Sequence, residues 1–152
     1  MIRVQSEDFD IGDEIAIISN QKKNIGGICS FTGLVREFDL NNKIQTMTLE
    51  HYPGMTEKQL DKIEKEANNR WELSDSLIIH RYGRLKPKDK IVLVITASIH
   101  RKAAFESCEF LMDWLKTKAP FWKMEETDSG SHWVAAKSSD DLEVEKWSTK
   151  KK

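Results

Sequence analysis

Apolar positions along this chain follow two different periods, and the changes of period mark its elements. After the turn signal Pro53-Gly54, Leu60, Ile63, Ala67 and Trp71 recur at helical spacing. They predict a surface helix with one buried stripe and Thr56 as its N-cap. A second helix is predicted from about residue 102 to 118. Ala104, Phe105, Cys108, Leu111, Met112 and Leu115 form its apolar face, Glu106, Glu109, Asp113 and Lys116 lie elsewhere, and Pro120 stops it. Strand-like runs cover residues 1–4, 27–35, 43–51, 76–84 and 90–100. The last two are joined by Lys86-Pro87-Lys88-Asp89, a hairpin signal, and residues 121–127 and 132–135 predict a final hairpin around Asp128-Ser129-Gly130. Residues 12–19 read as a short helix, although Ile15-Ala16-Ile17-Ile18 suits a strand equally well. Hairpin-joined strands with two principal helices able to cover one face predict an α+β fold built on a mainly antiparallel sheet. Residues 1–137 read as a single domain and the charged residues 138–152 as a flexible tail.

Composition narrows the function classes. The 152 residues are enough for one domain with a real core. Lys and Arg number 24 against 25 Asp and Glu, so there is no basic excess of the kind that coats nucleic acid or an anionic membrane. Any anion must be held by a local cluster. The longest apolar run, from Ile91 to Ile99, falls far short of the ~20 residues that span a bilayer. The N-terminus lacks the charged-then-apolar order of a secretory signal, and Cys29 and Cys108 form no CxxC pair. Together these features predict a soluble cytoplasmic protein without a disulfide framework.

The chain carries no GxGxxG, Walker, GxSxG or HExxH motif. His51, His80, His100 and His132 fall in four different segments, a spacing that indicates no metal site unless the fold gathers them. Basic residues at element ends remain. Arg36 closes one apolar run, and His100-Arg101 ends a strand at the start of the second helix, where free N–H groups also favour an anion. Lys116 and Lys118 lie in that helix's last turn, and Lys123 follows the turn at Pro120. Arginine presents a rigid fork of donors to phosphate, whereas lysine is a mobile charge suited to proton transfer. Each feature also has an ordinary structural reading. Lysine at a helix C-terminus compensates the dipole, Arg36 suits a solvated strand end, and His80-Arg81 falls within a hairpin. Cys108 sits on an apolar face as a small buried hydrophobe.

Longer strings carry more information. Phe31-Thr32-Gly33-Leu34-Val35-Arg36, Leu49-Glu50-His51-Tyr52-Pro53-Gly54-Met55-Thr56-Glu57-Lys58, Ala67-Asn68-Asn69-Arg70-Trp71 and Ile79-His80-Arg81 occur in that order. They are followed by Ser98-Ile99-His100-Arg101 and by the run from Phe110 to Lys123, with two lysines around Ala119-Pro120-Phe121-Trp122. From about residue 25 to 137 the chain resembles the large (MoaE-type), catalytic subunit of molybdopterin synthase. The resemblance implies an α/β hammerhead-like fold, a homodimer, and a heterotetramer with two copies of a small ubiquitin-like partner whose Gly-Gly C-terminus carries a thiocarboxylate. It implies a sulfurtransferase of molybdenum cofactor biosynthesis that moves two sulfurs onto cyclic pyranopterin monophosphate and needs no metal or cofactor of its own.

Carried over by position, the resemblance makes Lys116 and Lys123 the catalytic lysines. Arg36, His100 and Arg101 become ligands of the substrate phosphate, and Leu34, Val35, Met124 and Glu125 neighbouring pocket positions. Three positions depart from the family pattern: Leu34 stands where many relatives carry Lys, Met124 where Arg is common, and Lys137 where Arg is expected. Two other readings stay open on the residues alone, an unrelated enzyme acting on a phosphorylated small molecule and a non-catalytic scaffold that docks a ubiquitin-like protein.

Overall fold

The computed structural model describes residues 1–134 and 138–148. Strand β1 (Ile2–Gln5) is followed by helix α1 (Ile11–Ser19), β2 (Gly27–Leu34), the short β3 (Phe38–Asp39) and the long β4 (Asn42–His51). Helix α2 (Met55–Arg70), β5 (Asp75–Arg81), β6 (Gly83–Leu85) and β7 (Lys90–Ser98) come next. Helix α3 (Arg101–Thr117), the hairpin β8 (Phe121–Thr127) and β9 (Gly130–Trp133), and α4 (Ser138–Glu145) complete the described chain.

The strands form two sheets. The first has the order β1-β5-β7-β2, antiparallel except for the parallel pair β1–β5. The second has the order β3-β4-β8-β9, with β6 also paired to β4. The first sheet is covered on both faces. Ile78, Val92 and Val94 face α2 and α3, together with Leu60, Ile63, Ala67, Cys108 and Leu111. Their strand neighbours Leu77, Ile79, Leu93 and Ile95 face Ile15 and Ile18 of α1. Burial on both sides explains why these strands read as unbroken apolar runs rather than alternating ones. It also corrects the expectation that helices cover one face only.

Local chemistry settles residues 11–19 as a helix. The Asp10 carboxylate accepts the Asp13 N–H at 2.9 Å, and Asp13 and Glu14 lie in the first turn, where the dipole favours negative charge. Two other expectations are corrected. Thr56 does not cap α2; Gly54 does, while the Thr56 hydroxyl, fully buried, donates to the Tyr52 carbonyl and lies 2.9 Å from Nδ1 of His51. The run at 76–84 is not one strand. Gly83 has φ +96°, a backbone region costly for other residues, and there the chain leaves β5 and crosses to the second sheet as β6.

The charged C-terminal end is not loose where it is described. Trp147, after α4, is buried against Trp71 and Phe110 with ring centroids 5.7 and 5.5 Å away. Its indole N–H donates to Asp113 at 2.6 Å, and Arg70 donates to its carbonyl at 2.9 Å. Burying a tryptophan with its polar atom satisfied gives this segment an anchor that its charge pattern hides. The substituted family position Lys137 lies outside the described residues.

Candidate active site

Helix α3 packs across β7 and β2, and its last turn ends over their far end. There the chain caps at Lys118, passes Pro120, and returns as β8, paired antiparallel with β4 so that Lys123 lies opposite Leu49. The reversal leaves a cavity of about 210 Å³. Its floor is Phe31, Thr32, Gly33 and Leu34 of β2 with Ile91 and Val92 of β7. Met112, Leu115 and Lys116 of α3, Lys123 of β8 and His80 of β5 form the walls. A Cβ at Gly33 would stand 2.8 Å from Cγ1 of Val92, so any larger residue would have to displace that side chain from the cavity floor.

The lining contains two lysines and no carboxylate, so the cavity favours an anion. His80 keeps it so without adding a charge of its own. Its ring is buried, stacked on Phe121 at 3.6 Å, with Nδ1 2.9 Å from the Arg81 carbonyl. That contact places the proton on Nδ1 and leaves Nε2 as an acceptor. Burial, chiefly, pushes the imidazole pKa down to about 3, and the charges of Lys123, His51 and Lys116 push in the same direction.

Of the residues singled out from sequence, Leu34, Lys116 and Lys123 meet at this cavity. Val35 is buried in the core, its backbone bonded to Lys88 and Asp89. Arg36, two residues beyond Leu34, is half exposed and 3.6 Å from Asp39. Met124 alternates to the opposite face of β8 from Lys123, and Glu125 returns to that face but is buried farther along it. His100 and Arg101 sit exposed at the N-terminus of α3, where the Arg101 Cα would lie 3.7 Å from a Cβ on Gly27. Six residues of β7 at ~3.4 Å each separate Val92 from Ser98, roughly 20 Å. Within one chain these two residues therefore stand at the other end of the sheet from the lysines. Cys108 is buried, and burial raises its thiol pKa, as a packing role requires. His80 is the site residue that sequence reasoning missed.

The arrangement can be compared with known proteins. The family model described as "MoaE protein" matches residues 4–118. The chain belongs to the MoaE family. Among MoaE relatives, the molybdopterin synthase catalytic subunit of Ralstonia nicotianae is 51% identical over 146 residues, 96% of this chain and 83% of that one. The protein of the same name from Escherichia coli K12 is 46% identical over 146 residues, 96% of this chain and 97% of the relative. The solved structure of the molybdopterin biosynthesis MoaE protein from Burkholderia ambifaria MC40-6 superimposes with a TM-score of 0.83 at 48% identity, covering 99% of both chains. Molybdopterin synthase from Staphylococcus aureus gives 0.80 at 30% identity, covering 88% of this chain and 96% of that one. An α+β fold of mostly antiparallel strands is thus common to this chain and its MoaE neighbours. Among the described residues no helix is long and apolar enough to cross a membrane.

Proposed function

We propose that this chain is the catalytic subunit of a molybdopterin synthase, a cytoplasmic sulfurtransferase of molybdenum cofactor biosynthesis. Its substrate is cyclic pyranopterin monophosphate, and its sulfur comes from the C-terminal Gly-Gly thiocarboxylate of a small ubiquitin-like partner. The observation that carries this reading is the convergence of Lys116 and Lys123 on one carboxylate-free cavity in a MoaE-family chain. A partner's extended C-terminal tail needs a narrow slot, and the β2–α3–β8 junction offers one with two cations at its wall.

In this mechanism the thiocarboxylate sulfur attacks a carbon of the pterin side chain and displaces its oxygen substituent, giving a thioester between tail and pterin. The lysine ammonium groups offset the negative charge on the departing oxygen. Water then cleaves the acyl carbon–sulfur bond, leaving the sulfur on the pterin and releasing the tail as a carboxylate. Lys116, and secondarily Lys123, protonate the departing oxygen and take up the proton of the attacking water. Two rounds, with two loaded partner molecules, supply the two sulfurs. Arg36, His100 and Arg101 hold the substrate phosphate, with His100 and Arg101 contributed by a second copy of the chain. Leu34, where the resemblance expects a basic residue, gives the cavity an apolar lining there and one cation fewer. The test is reconstitution of the purified dimer with a thiocarboxylated partner and the pterin precursor. Dithiolene product is the expected result. Partner binding without turnover would mark a scaffold, and turnover of another phosphorylated compound without the partner would mark a different enzyme.

A further inference from the structure

Glu125 presents an unsolved problem of charge. It is 1% exposed in the central part of β8, between β4 and β9, and neither carboxylate oxygen accepts a hydrogen bond. An isolated buried carboxylate costs several kcal/mol unless a counter-charge compensates it. The groups it faces are His132, directly opposite on β9, and Asp39 at the end of β3. Nε2 of His132 lies 3.7 Å from Oε1 of Glu125 and 3.8 Å from Oδ2 of Asp39. One imidazole cannot donate well to both acids at those distances.

The spacing fits a different arrangement. An ion bound at 2.0–2.2 Å to nitrogen and carboxylate oxygen in tetrahedral geometry sets its ligand atoms about 3.4 Å apart. The three ligand atoms here lie within 4.8 Å of one another, with the His132 contacts a few tenths of an ångström from that value. Two carboxylates also match the charge of one divalent cation. His132 and Asp39 are partly exposed, which leaves one side open to water as a fourth ligand. An imidazole with two carboxylates favours zinc or manganese over magnesium or calcium, which prefer oxygen alone.

We propose that Asp39, Glu125 and His132 bind one divalent transition-metal ion of the zinc class. The ion ties the β3–β4 hairpin to the β8–β9 hairpin. It takes Oδ2 of Asp39 and leaves Oδ1 beside Arg36, whose NH2 stands 3.6 Å away, so it fixes the segment that presents that arginine. The role is structural: the metal site itself stands apart from the sulfur-transfer reading, and only its effect on Arg36 rests on that reading.

The experiment is zinc titration of the full-length, chelator-stripped dimer against a chromophoric competitor, with stoichiometry and thermal shift as readouts. One equivalent per chain is expected, and His132→Ala and Glu125→Gln should each weaken it by more than about tenfold, since loss of even an outer-shell partner of a ligand costs that much. His132 lies on an exposed strand, so its variant tests the site even if the buried Glu125→Gln fails to fold. His100→Ala removes an exposed imidazole elsewhere and should leave zinc affinity unchanged. Zinc affinity equal in the wild type and His132→Ala would overturn the proposal. So would the absence of a zinc equivalent, and a weakened dimer in Glu125→Gln would then assign the carboxylate to a contact between copies.

Discussion

The imidazole of His80 lies flat on the ring of Phe121, centroids 3.6 Å apart and planes 13° from parallel. The stack joins the end of β5 to the first residue of β8, and so fixes where the chain re-enters after the Pro120 turn. Lys123 follows two residues later. The position of one cavity lysine therefore depends on a neutral histidine.

That neutrality has a cost at low pH. The folded His80 titrates near 3, whereas the unfolded residue titrates near 6.5. Below about pH 6.5 the unfolded chain takes up a proton that the folded chain refuses, so stability falls as pH drops toward 3. Between about pH 6.5 and pH 4.5 this single group should remove roughly 2–3 kcal/mol. His80→Phe keeps a ring against Phe121 and removes the titration. Urea unfolding at about pH 7 and pH 4.5 should show a smaller acid loss in the variant than in the wild type, by that amount. Equal losses would mean that His80 is protonated in the folded protein.

Lys116 is exposed in the last turn of α3, so its removal should cost little stability. Lys116→Ala should leave a folded dimer with product formation reduced at least about a hundredfold, the lower range for loss of a general acid or base. Lys116→Arg keeps the charge but holds its proton at any accessible pH, and should fail as well. Single-turnover product formation reads both variants, and full activity in the arginine variant would remove the proton-transfer role.

Arg36 is half exposed, with Asp39 as its ion-pair partner at 3.6 Å. If it holds phosphate alike in the ground and transition states, Arg36→Ala should raise KM by about tenfold or more and change kcat far less. Affinity for the small partner should be nearly unchanged. Collapse of that affinity would place Arg36 on the docking surface instead.

The sequence made the strands and α3 legible because their apolar patterns are long and their ends carry strong signals at Gly54, Pro120 and Gly130. Lys116 and Lys123 stood out for the same reason, flanking a proline that must turn the chain. His80 did not. Its place in a supposed hairpin allowed alternation to explain it, but β5 is buried on both faces, so no position along it is idle. Gly83 hid a change of sheet that only its positive φ reveals. Trp147, in a charged segment, gave no sign of the aromatic pocket formed by Trp71 and Phe110, since that pocket joins residues far apart in sequence.

The distance between the two basic groups leads to the last prediction. His100 and Lys116 lie sixteen residues apart at opposite ends of α3, which at 1.5 Å per residue is roughly 24 Å. The run of β7 beneath the helix gives a similar length. A pterin monophosphate is much shorter, so both ends of one α3 cannot touch one substrate molecule. A symmetric dimer removes the difficulty if it brings His100 and Arg101 of one chain to the lysine cavity of the other, through an isologous interface. With substrate held well below KM, loss of a phosphate ligand lowers the rate through kcat/KM. Under that condition His100→Ala and Lys116→Ala should each be strongly impaired alone. After the two variants are mixed and subunits exchange, half the dimers are mixed at random. Each mixed dimer carries one site with both lesions and one with neither, so activity should recover to about a quarter of wild type. Exchange is verified by mass spectrometry of differently labelled chains. Recovery near that level would assign each site to two copies of the chain. No recovery after complete exchange would mean either that both residues act within one chain or that His100 lies outside the site.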